Sequence, residues 1–180
     1  MFVLFFLLGC ELSSSEKTWN DTAFIVSSED SYVTDFEAGT TLEGDLIYGN
    51  TLDLSWAELA PVACWPRNEN INFEGNHIFY EMSQPSHSRF TARVIPNDDE
   101  LDVNIYILQF GIGEEQTPPR VTQAVTCEAG YPWATNDNPG SMDYASVDAI
   151  QNEYSILIGV AGHRGVVSGR YTLETSIEDY

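Results

Sequence analysis

The sequence predicts an all-β fold, a two-sheet antiparallel sandwich of jelly-roll type that residues 23–180 form as a single domain. Three observations lead to this prediction. Apolar and polar residues alternate with a period of two, the alternating segments are rich in β-branched and aromatic residues, and Gly, Pro, Asn and Asp separate them. Many short strands with regular turns are typical of a sandwich.

Five segments show the clearest alternation: residues 77–82, 89–94, 102–107, 154–160 and 171–177. In the third of them, Val103, Ile105 and Ile107 share one face. Asn104 and Tyr106 lie on the opposite face. Each of these segments therefore predicts a half-buried strand with one polar face.

The remaining elements are shorter. Further strands are predicted at residues 23–26, 32–36, 41–48, 51–56 and 121–127. Single helical turns are expected at 56–59 and 145–151, both too short for a structural helix. Residues 96–100 form a turn, and residues 162–165 separate the last two strands closely enough for a hairpin.

The amino terminus carries an apolar run, residues 2–8, that ends at Gly9-Cys10. It is too short to cross a bilayer as a helix, which takes roughly 20 residues, but it matches the apolar core of a secretory signal.

Leu7-Leu8-Gly9-Cys10 resembles the lipobox of bacterial lipoproteins. The resemblance implies that residues 1–9 are a signal segment, that Cys10 is lipidated, and that residues 10–22 form a flexible tether. The implied location is the cell envelope, with the protein lipid-anchored to a bacterial membrane on its periplasmic or cell-surface side. Because no Lys or Arg precedes the apolar run, we expect the signal to be truncated, with the true start upstream of Met1.

Two cysteines remain once Cys10 is assigned to lipidation, namely Cys64 and Cys127. Export implies an oxidising compartment, so a disulfide between them is the expected state. Closing a loop of this size stabilises the fold by about 4 kcal/mol in the chain-entropy model. Trp65, next to Cys64, is expected to pack on the disulfide.

Charge and motifs exclude several classes of function. The chain has 28 acidic and 7 basic residues, a formal charge of −21, which argues against nucleic-acid partners and against electrostatic attraction to anionic lipid. Motifs of serine hydrolases, zinc proteases, P-loop proteins and dinucleotide-binding proteins are absent from the sequence. We therefore expect no catalytic activity and no cofactor.

Two groups of residues are candidates for ligand binding. Oxygen ligands for calcium are concentrated at Asp98, Asp99, Asp102 and Asn104, but without a recognised ligand spacing, so a solvated acidic turn is favoured and no metal site is predicted. Tyr131 and Trp133 in the long loop are candidates for stacking on a glycan or anchoring a protein partner.

Four segments follow one another between residues 73 and 180: Phe73-Glu-Gly-Asn-His-Ile-Phe-Tyr80, Asp102-Val-Asn-Ile-Tyr-Ile-Leu108, Tyr154-Ser-Ile-Leu-Ile-Gly-Val160 and Ser168-Gly-Arg-Tyr-Thr-Leu173. In these segments and their order, residues 73–180 resemble the bacterial pre-peptidase C-terminal domain, a jelly-roll-like sandwich found on secreted proteases and lipoproteins. Such domains are accessories, so the resemblance implies attachment or binding. We expect a non-catalytic, membrane-anchored lipoprotein with an accessory binding domain. The alternative is an accessory domain of a secreted hydrolase or protease system.

Overall fold

Two sheets packed face to face make up the computed structural model, which describes residues 33–59, 62–131 and 139–180. The strands are β1 (Val33–Asp35), β2 (Thr41–Asp45), β3 (His77–Gln84), β4 (Ser88–Pro96), β5 (Val103–Phe110), β6 (Thr126–Gly130), β7 (Asp143–Ala149), β8 (Tyr154–Gly162) and β9 (Arg170–Asp179). One short helix, α1, spans Ser55–Leu59, and 3₁₀ helices span Leu46–Tyr48, Arg67–Phe73 and His163–Gly165.

The strand order is that of a jelly roll. One sheet runs β1-β3-β8-β5-β6 and the other β2-β9-β4-β7. When the eight strands β2–β9 are renumbered from 1 to 8, the strand orders of the two sheets become 2-7-4-5 and 1-8-3-6, which is the arrangement of a jelly roll. Every pairing among these eight strands is antiparallel. The predicted fold class is confirmed. β1 adds one parallel pairing at the edge of the larger sheet, with Val33 opposite Phe79.

The main core lies between the two sheets, on the faces that the alternation predicted. Its largest contributions come from apolar side chains that alternate along β3, β4, β5, β8 and β9, among them Ile78, Phe90, Ile105, Ile158 and Leu173. Burial of these side chains stabilises the sandwich by removing apolar surface from water. Tyr171 also belongs to this core, and its hydroxyl lies 2.8 Å from that of Tyr80.

A second core covers the outer face of the five-stranded sheet. We call residues 52–59 and 62–73 the cover segment. Its Trp56, Trp65 and Phe73 pack on Tyr106 and Leu108 of β5. All eight residues of β5 are buried as a result, so the prediction that Asn104 and Tyr106 occupy a polar outer face is wrong.

The disulfide between Cys64 and Cys127 joins the cover segment to β6, with 4.9 Å between the two Cα atoms. This prediction is confirmed. Trp65 is only 2% exposed, and its ring stacks on Phe73 with 3.9 Å between ring centroids. Trp65 therefore belongs to the same buried cluster as Cys127.

Two buried polar side chains of the sheet hold the end of the 3₁₀ helix Arg67–Phe73. His77 Nε2 lies 2.8 Å from the carbonyl oxygen of Phe73, and Asn104 Nδ2 donates to the carbonyl oxygen of Asn72 at 2.7 Å. A carbonyl oxygen only accepts, so Nε2 carries the proton and Nδ1 accepts from the Tyr106 hydroxyl at 3.0 Å. Burial lowers the pKa of His77 from 6.5 to about 4.

Several predicted elements differ from the structure. Residues 145–151, predicted as a helical turn, lie mostly in β7, where Ala145, Val147 and Ala149 point inward. Residues 51–56 do not form a strand, whereas the helical turn predicted at 56–59 is present as α1. β2 ends at Asp45, and the strand of the long loop is Thr126–Gly130 rather than 121–127.

The hairpin predicted at residues 162–165 is also wrong, because β8 and β9 belong to different sheets. The apolar faces of the two strands meet across the main core, with Ile158 on one side and Leu173 on the other. Residues 163–169 therefore carry the chain from one layer to the other at one end of the sandwich. No helix in the described ranges has the length and apolar character needed to span a membrane.

Candidate binding cleft at one end of the sandwich

Four connections meet at the end of the sandwich where β8 leads into β9. They are residues 46–48, 74–76, 97–102 and 163–169. Backbone hydrogen bonds join them: Leu46 N donates to Gly169 O, Asn76 N donates to Val166 O, and His163 N donates to Asp102 O, at 3.0, 3.0 and 3.1 Å. We call this region the loop end.

A cleft of about 450 Å³ opens at the loop end, between the β4–β5 turn and the β8–β9 connection. Its lining combines two apolar residues with polar and charged ones: Asn97, Asp98, Glu100, Leu101, Val166, Ser168, Gly169 and Arg170. This volume lies within the usual range for ligand sites, and apolar walls with a few polar groups are typical of them.

The β4–β5 turn sets the position of each lining residue. Asp98 Oδ1 accepts a hydrogen bond from Glu100 N at 2.9 Å, and Leu101 N donates to Asp98 O at 3.1 Å. Leu101 is buried while Asp98 and Glu100 remain exposed. Gly169 approaches Leu101 so closely that a Cβ there would lie 2.5 Å from Leu101 Cδ1, and its φ of 143° also favours glycine.

Acidic groups predominate at the mouth of the cleft. Asp98 and Glu100 stand on one wall, and Arg170 on the other lies with its Nε 3.8 Å from Asp45 Oδ2. Asp45 Oδ1 in turn accepts hydrogen bonds from Ile47 N and Gly169 N. Asp45 thus holds the wall that carries Arg170 and leaves the opposite carboxylates available to a ligand.

Exposed apolar side chains belong to the same loops. Ile47, Tyr48 and Val167 are 61%, 69% and 51% exposed. The Asn76 side-chain amide donates to Leu46 O at 2.9 Å and to Val167 O at 3.0 Å, which ties the two loops together. The loop end therefore combines a polar cleft with an apolar flank.

The four calcium candidates do not converge. Asp98 lines the cleft, and Asp102 Oδ2 lies 3.7 Å from His163 Nδ1. Asp99 is exposed in the turn, while Asn104 is buried beneath the cover segment with its amide on Asn72. The grouping of Asn104 with the acidic turn is wrong, because its side chain points to the outer face of the sheet. Within the described residues, no group of three or more His, Cys, Asp or Glu side chains could hold a metal ion.

The candidate stacking residues are described only in part. Tyr131 packs edge-on against Phe73, with 5.7 Å between ring centroids, at the margin of the second core. Partial burial raises its pKa, and the charge of Glu69 adds to that shift. Trp133 and Cys10 lie outside the described residues.

Sequence reasoning singled out Asp98 but missed Leu101, Val166, Ser168 and Arg170. No local pattern marks these residues as a group. They come from two connections that the jelly roll brings together, so only the non-local strand order places them around one cleft.

Comparisons with known proteins give fold-level similarity alone. No protein-family model and no curated protein matches the chain. The pre-peptidase C-terminal domain of a collagenase from Bacillus anthracis is similar in structure, with 12% identity, a TM-score of 0.43, and coverage of 83% of this chain and 100% of that domain. PliG of Aeromonas hydrophila, a periplasmic inhibitor of g-type lysozyme, is similar with 13% identity, a TM-score of 0.43, and coverage of 82% and 96%.

Proposed function

We propose that the protein is a non-catalytic binding module, held at the bacterial cell envelope through an acylated Cys10, that binds a protein partner at the loop end. The cleft between the β4–β5 turn and the β8–β9 connection is the observation that carries this proposal. The lipobox-like Leu7-Leu8-Gly9-Cys10 and the linker composition of residues 10–22 support the anchor.

The chemistry of the cleft favours a basic segment of the partner. A lysine or arginine side chain would lay its methylene stem on Leu101 and Val166 and place its charge between Asp98 and Glu100. The formal charge of −21 would speed association with a positively charged partner.

The apolar flank supports a protein partner in particular. Tyrosine is among the residue types that contribute most to protein interfaces, because its ring buries a large area at low entropic cost. Tyr48, in the 3₁₀ helix Leu46–Tyr48 of the loop end, offers such an anchor on the same set of loops as the cleft.

An array of peptides with systematically varied charge tests this proposal. The full chain carrying Cys10→Ala, which prevents acylation, is applied to basic, neutral and acidic peptides of matched length and apolar content. We expect selective binding of basic peptides that weakens with rising salt, since salt screens exposed charges.

Substitutions localise the binding. Asp98→Asn with Glu100→Gln removes both charges and keeps the side-chain size, and Tyr48→Ala removes the aromatic anchor; both should weaken peptide binding. Tyr144→Ala is the matched control, because Tyr144 is similarly exposed but lies on β7. Binding that shows no preference for basic peptides, or that both loop-end variants retain, contradicts the proposal.

A further inference from the structure

The outer face of the four-stranded sheet differs from that of the five-stranded sheet. The five-stranded sheet is covered by the second core, whereas the outward side chains of β4, β7 and β9 are exposed or half-buried in the described structure. This face is rigid, because β4 pairs with β7 on one side and with β9 on the other along its length.

The middle of this face is lined with hydroxyl groups. The pairing register places Thr91 between Ser146 on β7 and Ser176 on β9, and all three side chains are half-buried. Thr91 Oγ1 and Ser146 Oγ lie 2.8 Å apart. These three side chains are short, whereas the outward side chains two residues before and after them on the same strands are longer. The three hydroxyl residues therefore form the floor of a shallow trough that runs across the strands.

One wall of the trough contains Arg89, between Asp148 and Glu178. Arg89 Nε and Nη2 donate to the two carboxylate oxygens of Asp148 at 2.7 and 3.0 Å. The Tyr180 hydroxyl also donates to Asp148, and Tyr180 N donates to His87 O at 2.9 Å. These bonds hold Tyr180 against the wall although its side chain is 67% exposed.

The opposite wall contains Arg93, between Tyr144 and Glu174. Tyr144 is 60% exposed. The structure gives Arg93 no ion pair and no hydrogen bond within the described residues, so its guanidinium is available to a ligand. The two walls are four residues apart along a strand, about 14 Å at the usual rise per residue.

The charge of the trough suits an uncharged ligand. Its two walls carry two arginines and three carboxylates, so the trough is close to balance in a chain whose formal charge is −21. A basic protein segment would meet Arg89 and Arg93 here and is better accommodated at the acidic loop end.

Sugars match the remaining chemistry. A sugar ring has an apolar face that packs on an aromatic ring and a rim of hydroxyls that both donate and accept hydrogen bonds. Tyr144 and Tyr180 supply the rings on opposite walls, and the guanidinium of Arg93 with the hydroxyls of the trough floor supplies hydrogen-bonding partners. We propose that the trough on the outer face of the four-stranded sheet is a second binding site, separate from the loop end, that takes a neutral polysaccharide.

The test uses the full chain with Cys10→Ala. Sedimentation with insoluble cellulose and chitin, and calorimetric titration with cellohexaose, chitohexaose and maltohexaose, measure binding. We expect binding to at least one of these polysaccharides that changes little with salt, because the ligand carries no charge. Tyr144→Ala and Arg93→Ala should each weaken it about ten-fold, as expected for loss of a central contact.

The control is Tyr48→Ala, which removes a similarly exposed tyrosine at the loop end and should leave polysaccharide binding unchanged. Thermal melting of each variant checks that the fold is retained. Absence of binding to all the polysaccharides overturns the proposal, as does binding that both Tyr144→Ala and Arg93→Ala retain. A peptide or protein ligand that is lost with Tyr144→Ala also overturns it, because the face would then bind protein. Peptide binding at the loop end is measured separately, so failure of this proposal leaves the proposed function standing.

Discussion

Protonation of His77 should make the stability of the fold depend on pH in a defined window. The imidazole is buried beneath the cover segment, where Nε2 donates to Phe73 O and Nδ1 accepts from the Tyr106 hydroxyl. Burial lowers its pKa from 6.5 to about 4. Between these two values the unfolded chain binds a proton that the folded chain does not, so the free energy of unfolding falls as pH falls from 6.5 to 4. Above this window the imidazole is neutral in both states, and below it the imidazole is charged in both.

The magnitude follows from the size of the pKa difference. A difference of about 2.5 pKa units corresponds to about 3 kcal/mol, and this is the largest loss that His77 can cause. It is a large part of the total stability of a small domain, which is about 5–15 kcal/mol.

Urea denaturation of the wild type and His77→Gln at a series of pH values from 7.5 to 3.5 measures the effect. Glutamine keeps an amide donor for Phe73 O but does not titrate. The variant should have a lower free energy of unfolding than the wild type at pH 7. As pH falls, its free energy of unfolding should decrease by about 3 kcal/mol less than that of the wild type. Each protein gives a curve of the free energy of unfolding against pH. Subtracting one curve from the other removes the contribution of the 28 acidic residues, because both proteins contain them. His87→Gln is the control, because His87 is exposed and should leave the wild-type curve unchanged. Parallel curves for the wild type and His77→Gln would refute the reasoning.

Three further predictions concern the disulfide, the second core and the anchor. Replacing Cys64 and Cys127 by Ala should lower the free energy of unfolding by about 4 kcal/mol, since the bridge closes a loop of 63 residues; equal denaturation midpoints would contradict this. Gly159→Ala should destabilise by about 1–3 kcal/mol, because a Cβ there would lie 2.2 Å from Cζ of the buried Tyr106 ring, and an unchanged melting temperature would show that the ring can move. Cys10→Ala, expressed behind a complete signal, should move the protein from the membrane fraction to the soluble fraction; a variant that still sediments with membranes is not anchored by acylation.

Strand positions could be predicted where the alternation of apolar residues is strong. β4 is the clearest case, because Phe90, Ala92 and Val94 are all buried in the main core on the predicted face. β7 was missed because Ala145 and Ala149 are small and have little intrinsic preference for strands. Its conformation comes from pairing with β4 over seven residues, which is a non-local interaction.

The second core could not be predicted from alternation. Asn104 and Tyr106 have the spacing of a solvated polar face, yet both are fully buried. The cover segment supplies the carbonyl oxygen that accepts a hydrogen bond from Asn104 Nδ2, and His77 supplies the acceptor for the Tyr106 hydroxyl. Burial of a polar group depends on whether a partner is available, and these partners lie 29 and 32 residues away along the chain.

The sequence by itself determined which residues of the main strands face inward, because the side-chain period is a local property. It also predicted the bridge between Cys64 and Cys127, but only once Cys10 had been assigned to lipidation. The tertiary structure decided which strands share a sheet, which outer face is covered, and which residues surround the cleft. Leu101 and Arg170 meet there because the β4–β5 and β8–β9 connections cross between layers at the same end of the jelly roll. The hydroxyl trough likewise exists only in the register that sets Thr91 between Ser146 and Ser176, since shifting any one of these strands by one residue would turn its hydroxyl to the other face.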